Sequence, residues 1–256
     1  MPELDTDRLE AQVKEVYSDV AADPHEEFHF ETGRALAERL GYDPDVLDRI
    51  PREALDSFAG VGYHLDLAEL EGGDRVLDLG CGAGTDCFVA AIHVGPEGSV
   101  AGVDITEGQL EKARRLAEEG GFENVTAWES YIEELPFEDD SFDAVISNGV
   151  INLSSRKDEV FAEAARVLRP GGRLAVSDIL SEEQLPESIK SNEDLWAACI
   201  GGAMQIERYA ETAEAAGFEV TAMKDNDQYE FLSESAAGAC EKYGVKSLSL
   251  AARLPE

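Results

Sequence analysis

Residues 76–86 read VLDLGCGAGTD, an apolar run that passes directly into a glycine-rich loop. Gly80, Gly82 and Gly84 lie at this tight turn, where a side chain would prevent the backbone from approaching a ligand closely. Many folds contain one such turn, so two further details matter. Thr85 stands where a dinucleotide-binding loop has its last glycine, and Asp78 lies inside the end of the predicted strand.

The chain around this loop alternates between short apolar runs and amphipathic stretches from Asp74 onward. This alternation is typical of a parallel sheet with helical crossovers. The predicted strands are 75–79, 99–103, 125–128, 142–147, 173–177, 218–223 and 247–252. The predicted helices are 5–21, two or three short ones within 31–58, and 84–94, 106–119, 157–168, 192–202 and 206–216. We therefore predict an α/β fold, a doubly wound, mostly parallel, seven-stranded Rossmann-like sheet with an N-terminal helical cap.

Asp104 ends the second predicted strand, about twenty residues beyond the loop, where an acidic side chain can accept both hydroxyls of a ribose. The alternative is that Asp104 caps the following helix, although Thr106 can serve as that cap. We expect the cap at 1–71, the ligand-binding core at 72–180, and a C-terminal part at 181–256 that completes the sheet and an acceptor pocket.

The charge is extreme, with 21 basic against 55 acidic residues and a net charge of −34. Such a surface repels phosphate backbones and anionic lipid, so we expect neither a nucleic-acid nor a membrane partner, and we expect a monomer. Only high ionic strength screens this repulsion, so the charge favours the interpretation that the protein comes from a halophile. Four cysteines, no apolar run of about 18 residues and no signal-like N-terminus favour a cytoplasmic location.

Four stretches resemble successive motifs of class I S-adenosylmethionine-dependent methyltransferases: VLDLGCGAGTD, VAGVDIT, ELPFEDDSFDAVISN and RVLRPGGRLAVSDI. Within that superfamily the chain is most similar to the arsenite methyltransferases. This second resemblance runs through FHFETGRALAERLGY, GTDCF, SNGVINLSSRK, ACIGGA and SLSLAARLP, which together cover nearly the whole chain.

The resemblance implies S-adenosylmethionine as cofactor and a methyltransferase sheet. It also implies a set of cofactor-binding residues, which are Tyr17, Asp78, Gly80, Gly82, Gly84, Asp104, Ile105, Tyr131, Ile132 and Asn148. Asp104 would hold the ribose, Ile105 would pack on the adenine, and Tyr17 would close over the cofactor. Members of the family usually have an acidic residue at the place of Tyr131, so here a stacking or backbone contact would have to serve the adenine.

The cysteines depart from the arsenite methyltransferase pattern. As(III) is thiophilic and needs several thiolates that converge on one atom. Val61 and Gly149 stand where the resemblance places two of the three cysteines, and Cys199 alone remains. We therefore predict in-line methyl transfer to a small acceptor, one for which Gly149 opens space. The catalytic candidates are Cys199, Asn148, and His64 as a general base.

Two other functions stay open, arsenite methylation by Cys199 with other thiols, and cofactor binding without catalysis. His25-Glu26-Glu27-Phe28-His29 matches the pattern of zinc proteases. Pro24 precedes it and the stretch also fits the methyltransferase resemblance, so we predict no metal site.

Overall fold

The computed structural model describes residues 6–26, 28–186, 189, 200–232 and 234–256. Its sheet has seven strands in the order β3-β2-β1-β4-β5-β7-β6. They are β1 (Arg75–Leu79), β2 (Ser99–Asp104), β3 (Val125–Glu129), β4 (Phe142–Asn148), β5 (Leu168–Leu180), β6 (Glu219–Asp225) and β7 (Lys246–Arg253). β1 to β5 pair in parallel, whereas β7 is antiparallel to both β5 and β6. The predicted mostly parallel, seven-stranded α/β fold is confirmed.

The helices of the described chain follow the predicted order with small shifts at their ends. They are α1 (Thr6–Ala22), α2 (Arg34–Leu40), α3 (Pro44–Leu47), α4 (Arg52–Asp56), α5 (Thr85–Val94), α6 (Glu107–Gly120), α7 (Lys157–Val167), α8 (Ile206–Ala215) and α9 (Glu234–Tyr243). A 3₁₀ turn spans Ile151–Leu153. Helix α9 was not predicted. Most of the helix predicted at 192–202 lies outside the described residues, and Gly201 and Gly202 form a turn.

Two hydrophobic cores cover the two faces of the sheet. Because successive strand residues point to opposite faces, Val76 of β1 joins the core under α2 to α6, and Leu77 joins the core under α7 and α8. β4 is buried from Phe142 to Ser147, as expected of a central parallel strand. The loops that follow β1, β2 and β4 therefore rest on strands that are packed on both sides.

β5 begins earlier than the sequence predicts. It starts at Leu168, directly after α7, where Leu168 pairs with Phe142; the register then shifts before Ala144 pairs with Arg173. The strand thus includes Pro170 and Gly171, which a sequence pattern assigns to a turn. No helix in the described part of the chain is long and apolar enough to cross a membrane.

Helix α1 docks across the carboxyl ends of the strands. Its apolar face, Leu9 and Val13, packs with Ile105 of the loop after β2. The carbonyls of its last two turns are held by α6, since Gln109 donates to the Tyr17 carbonyl at 2.9 Å and Lys112 to the Ala21 carbonyl at 3.1 Å. A cation at a helix C-terminus also complements the helix dipole, so Lys112 stabilises this end twice.

Candidate cofactor and acceptor site

A cavity of about 560 Å³ opens at the carboxyl ends of the parallel strands. It lies where β1 is flanked by β2 on one side and β4 on the other, which is where the strand order reverses. Open α/β sheets bind their ligands at this point. Its wall combines the glycine loop, the ends of β2 and β4, and one face of α1.

Nine of the ten predicted cofactor-binding residues line this cavity: Tyr17, Asp78, Gly80, Gly82, Asp104, Ile105, Tyr131, Ile132 and Asn148. Gly84 lies behind the wall as the N-cap of α5, with φ +92°. A Cβ there would lie 3.0 Å from the ring of Phe88 in the same helix, so Gly84 leaves room for that side chain.

Gly80 is required by the shape of the turn. Its φ is +73°, and a Cβ at this position would lie 2.2 Å from Cγ2 of Val150. Both the left-handed backbone and this close approach exclude a side chain. The glycine loop therefore packs against the chain that follows β4 and presents backbone to the cavity.

Asp104 is a fixed acceptor in the middle of the wall. Its Oδ2 accepts the Gly82 N–H at 3.0 Å, and its Oδ1 accepts the Thr106 N–H at 2.8 Å. The Thr106 side chain makes no capping hydrogen bond, so Asp104 also orders the start of α6, as the alternative considered above anticipates. Burial raises the pKa of Asp104. Each oxygen keeps a lone pair, so the carboxylate can accept a ribose hydroxyl as well.

A second acidic region lies at the glycine-loop end of the cavity, where Asp78 and Asp86 both line the wall. Burial, and then the charge of Asp86, raise the pKa of Asp78 well above its usual range. Cys87 donates to Asp78 Oδ2 at 3.2 Å. A positively charged ligand at this end would relieve the repulsion between the two carboxyl groups.

Asn148 joins β4 to the cap and to this acidic region. Its Oδ1 accepts the backbone N–H of Val61 at 2.8 Å and of Gly62 at 3.3 Å. Its Nδ2 lies 3.1 Å from each of three acceptors, Tyr42 Oη, Asp86 Oδ2 and the Gly62 carbonyl. Tyr42 in turn donates to Asp86 Oδ1 at 2.5 Å. Asn148 therefore fixes both the 60–62 segment and the Asp86 carboxylate.

Glu10 of α1 also lines the cavity, and it was not among the predicted site residues. The Tyr131 hydroxyl donates to Glu10 Oε1 at 2.7 Å, and Lys14 lies 2.7 Å from the same oxygen. Tyr17 lies on the same wall, and its ring stacks on Phe30 with centroids 5.8 Å apart. Glu10 follows the amphipathic pattern of α1, and no motif marks it.

The predicted catalytic candidates are placed differently from one another. Asn148 lines the cavity, whereas Cys199 lies outside the described residues. His64 is fully buried and does not line the cavity wall. Neither of its ring nitrogens has a hydrogen-bond partner within the described residues, and burial lowers its pKa. The structure thus does not bring the predicted base to the site.

The space expected beside Gly149 is filled. Gly149 has φ +75°, and a Cβ there would lie 3.2 Å from Cγ1 of Val61. Val61 and Gly149 are both buried, and neither lines the cavity. The expectation that Gly149 opens volume is therefore wrong, because the Val61 side chain packs against it.

In the His25–His29 pattern none of the four described residues is helical, so the two histidines do not lie on one face of a helix. Within the described residues, no cluster of three or more histidine, cysteine or acidic side chains could hold a metal ion.

Comparison with known proteins agrees with this geometry. Residues 70–217 match the methyltransferase-domain family, so the class is that of the methyltransferases. The arsenite methyltransferase of Halobacterium salinarum is 38% identical over 226 residues, which are 88% of this chain and 58% of that protein. The arsenite methyltransferase of Aquipseudomonas alcaligenes is 41% identical over 180 residues, 68% of this chain and 51% of that protein. This chain therefore spans only part of the length of these curated relatives.

Among solved structures, CrArsM, an arsenic (III) S-adenosylmethionine methyltransferase from Chlamydomonas reinhardtii, superposes with a TM-score of 0.66. It is 33% identical, over 88% of this chain and 74% of that chain. The chain belongs to the arsenite methyltransferase family of S-adenosylmethionine-dependent methyltransferases.

The cavity fits the cofactor that this membership assigns. S-adenosylmethionine carries positive charge on its sulfonium and its ammonium, which suits the Asp78 and Asp86 end. Asp104 has lone pairs for the ribose hydroxyls, and a side chain at Gly80 would clash with Val150 and disturb the loop. When bound, the cofactor supplies an already activated methyl group; the chain supplies its placement.

Proposed function

We propose that this chain transfers a methyl group from S-adenosylmethionine, in line, to a small acceptor other than free arsenite. The proposal rests on the contact between Val61 and Gly149, the two positions where the family resemblance places thiols. A Cβ at Gly149 would lie 3.2 Å from Cγ1 of Val61, and neither residue offers a thiol. The acceptor's lone pair forms the new bond to the methyl carbon while the carbon–sulfur bond breaks, and that electron pair stays on sulfur.

The other described cysteines do not replace the missing ligands. The contact with Cys81, and then burial, raise the pKa of the Cys87 thiol well above its ordinary value. For Cys81, the contact with Cys87 lowers the pKa, but burial and the charges of Asp104 and Asp78 together raise it more, so the net shift is upward. Cys240 does not line the cavity. A raised pKa disfavours the thiolate, which is the form that binds a soft metalloid.

Positioning supplies the catalysis in this proposal, because the sulfonium is a ready leaving group. Phe58, Ala59 and Gly60 line the cavity next to Asn148, and they offer an aromatic and amide surface for a small organic nucleophile. Asn148 holds this segment through the Val61 N–H, so the acceptor and the Asp86 end are kept in one fixed relation.

The experiment is release of S-adenosylhomocysteine in molar KCl, with S-adenosylmethionine and a reducing thiol, with and without arsenite. We expect no arsenite-dependent release, while S-adenosylmethionine binding is confirmed in the same sample. Turnover with a small organic nucleophile then supports the proposal. Arsenite-dependent turnover contradicts it and favours the second candidate, arsenite methylation through Cys199 and other thiols. The similarity to arsenite methyltransferases supports that candidate.

A gain-of-function variant sharpens this test. The double variant Val61→Cys with Gly149→Cys places two thiols within contact distance, and we expect it to acquire arsenite-dependent turnover or arsenite binding. Cysteine at the φ of Gly149 costs about 1–2 kcal/mol, which a stable fold tolerates. Val61→Cys alone is the matched control and should stay unresponsive. Binding of cofactor with no turnover on any acceptor would instead indicate a non-catalytic binding protein.

A further inference from the structure

The position of the cofactor's base in the cavity follows from the positions of the ribose site and the glycine loop. Asp104 at the end of β2 is placed for the ribose, and the glycine loop lies on the β1 side of it. The base therefore lies on the other side, toward β3. Ile105, Tyr131 and Ile132 line the cavity there. Apolar walls make no hydrogen bonds to the polar groups of a base, so by themselves they do not distinguish one purine from another.

Adenine differs from a 6-oxo purine by its exocyclic amino group, which needs an acceptor. Five carboxylates line the described part of the cavity, on Glu10, Asp78, Asp86, Asp104 and Glu133. Asp78 and Asp86 belong to the glycine-loop end, and Asp104 is placed for the ribose. Glu133 accepts the Ser154 hydroxyl with Oε1. Glu10 is the carboxylate that adjoins Tyr131.

Glu10 is held in place as an ionised acceptor. Lys14, one turn further along α1, lies 2.7 Å from Oε1 and 5.4 Å from the centroid of the Tyr131 ring. The Tyr131 hydroxyl donates to the same oxygen at 2.7 Å. The hydrogen bond from Lys14, and then that from Tyr131, lower the pKa of Glu10 below its ordinary value. Both contacts of the described structure fall on Oε1, so Oε2 keeps its lone pairs for a donor.

We propose that Glu10, carried by helix α1, accepts a hydrogen bond from the exocyclic amino group of the cofactor's adenine and makes the site selective for a 6-amino purine. Tyr131 orients this carboxylate from the β3 side. Recognition of the base thereby depends on the docking of α1 over the cavity. The inference concerns the cofactor alone, so it holds or fails independently of which acceptor is methylated.

The test compares two ligands that differ only at the base. S-adenosylhomocysteine and its 6-oxo analogue S-inosylhomocysteine are titrated calorimetrically, in molar KCl, into the wild type and the variants Glu10→Gln, Tyr131→Phe and Glu15→Gln. Glu15 lies on the same helix and is exposed, so its variant is matched in charge and chemistry. The glutamine amide can accept from an amino group or donate to a 6-oxo oxygen, and Glu10→Gln should therefore lose selectivity.

We expect the wild type and Glu15→Gln to bind the adenine ligand at least about tenfold more tightly than the 6-oxo ligand, as a hydrogen bond to a charged acceptor implies. Glu10→Gln should show a preference of about twofold or less, and Tyr131→Phe an intermediate one. The proposal is overturned if Glu10→Gln keeps the wild-type preference, or if the wild type has none. A wild type that binds neither ligand would overturn the cofactor assignment as well.

Discussion

Replacing Asn148 by alanine should weaken the whole joint between the cap and the sheet. The amide has two N–H groups and one oxygen, so of its five short contacts about four hydrogen bonds form at once. At about 0.5–1.5 kcal/mol each, their loss amounts to roughly 2–6 kcal/mol. Asn148 is only partly buried, so water replaces some of them. We expect a loss of about 3 kcal/mol in the free energy of unfolding.

The measurement is urea unfolding in molar KCl followed by circular dichroism, with cofactor affinity measured by calorimetry. Asn124→Ala is the matched control. Its amide is also partly buried, and it donates to the Gly95 and Gly98 carbonyls at 3.0 and 3.4 Å, away from the cavity. It should cost about 1 kcal/mol and leave cofactor affinity unchanged. If Asn148→Ala costs no more than Asn124→Ala, Asn148 does not join the cap to the sheet as argued.

Two further predictions concern charge. With a net charge of −34, the chain should lose structure on dialysis from molar KCl into dilute buffer. At 1 M salt the Debye length is about 3 Å and the surface repulsion is screened, whereas in dilute buffer the Debye length grows and this screening is lost. An unchanged circular dichroism spectrum would contradict this. Asp178 in β5 accepts from Tyr209 at 3.0 Å, and burial raises its pKa from 3.8 to about 7. The folded state therefore binds this proton more tightly than the unfolded state, and the contribution to stability is greatest below about pH 4 and lost by about pH 7. Asp178→Asn should lack this pH-dependent loss of stability; equal pH profiles for the two proteins would refute it.

The elements of the sheet could be predicted because each depends on local pattern. The apolar run before Gly80 and the runs ending at Asp104 and Asn148 gave strands whose ends differ from the structure by one residue at most. The early start of β5 could not be predicted, since Pro170 and Gly171 indicate a turn in any local pattern. Gly171 keeps a turn-like φ of +75°, and β5 extends back over Pro170 and Gly171 because Leu168 pairs with Phe142, which is a tertiary contact.

The site divides in the same way. The residues on the strand ends and the glycine loop were found because their positions follow from topology. Two features were not predicted, the contact of Glu10 with Tyr131 and the packing of Val61 on Gly149. The first joins residues more than 100 apart in sequence and the second joins residues more than 80 apart, so no local pattern reveals them. His64 shows the opposite error. Its residue type suggested chemistry, but its burial follows from the packing of the cap, which one sequence does not reveal.

The place of β7 has a consequence for the order in which the protein can be assembled. β6 is made before β7, yet among the described strands it pairs only with β7, which lies between it and β5. While the chain emerges from the ribosome, β6 has no partner strand and the edge of β5 is open. Unpaired strand edges are templates for association with other chains. The sheet is completed when β7, the last strand to be made, inserts between β5 and β6. The nascent chain is therefore most exposed to misassembly just before residues 246–253 appear.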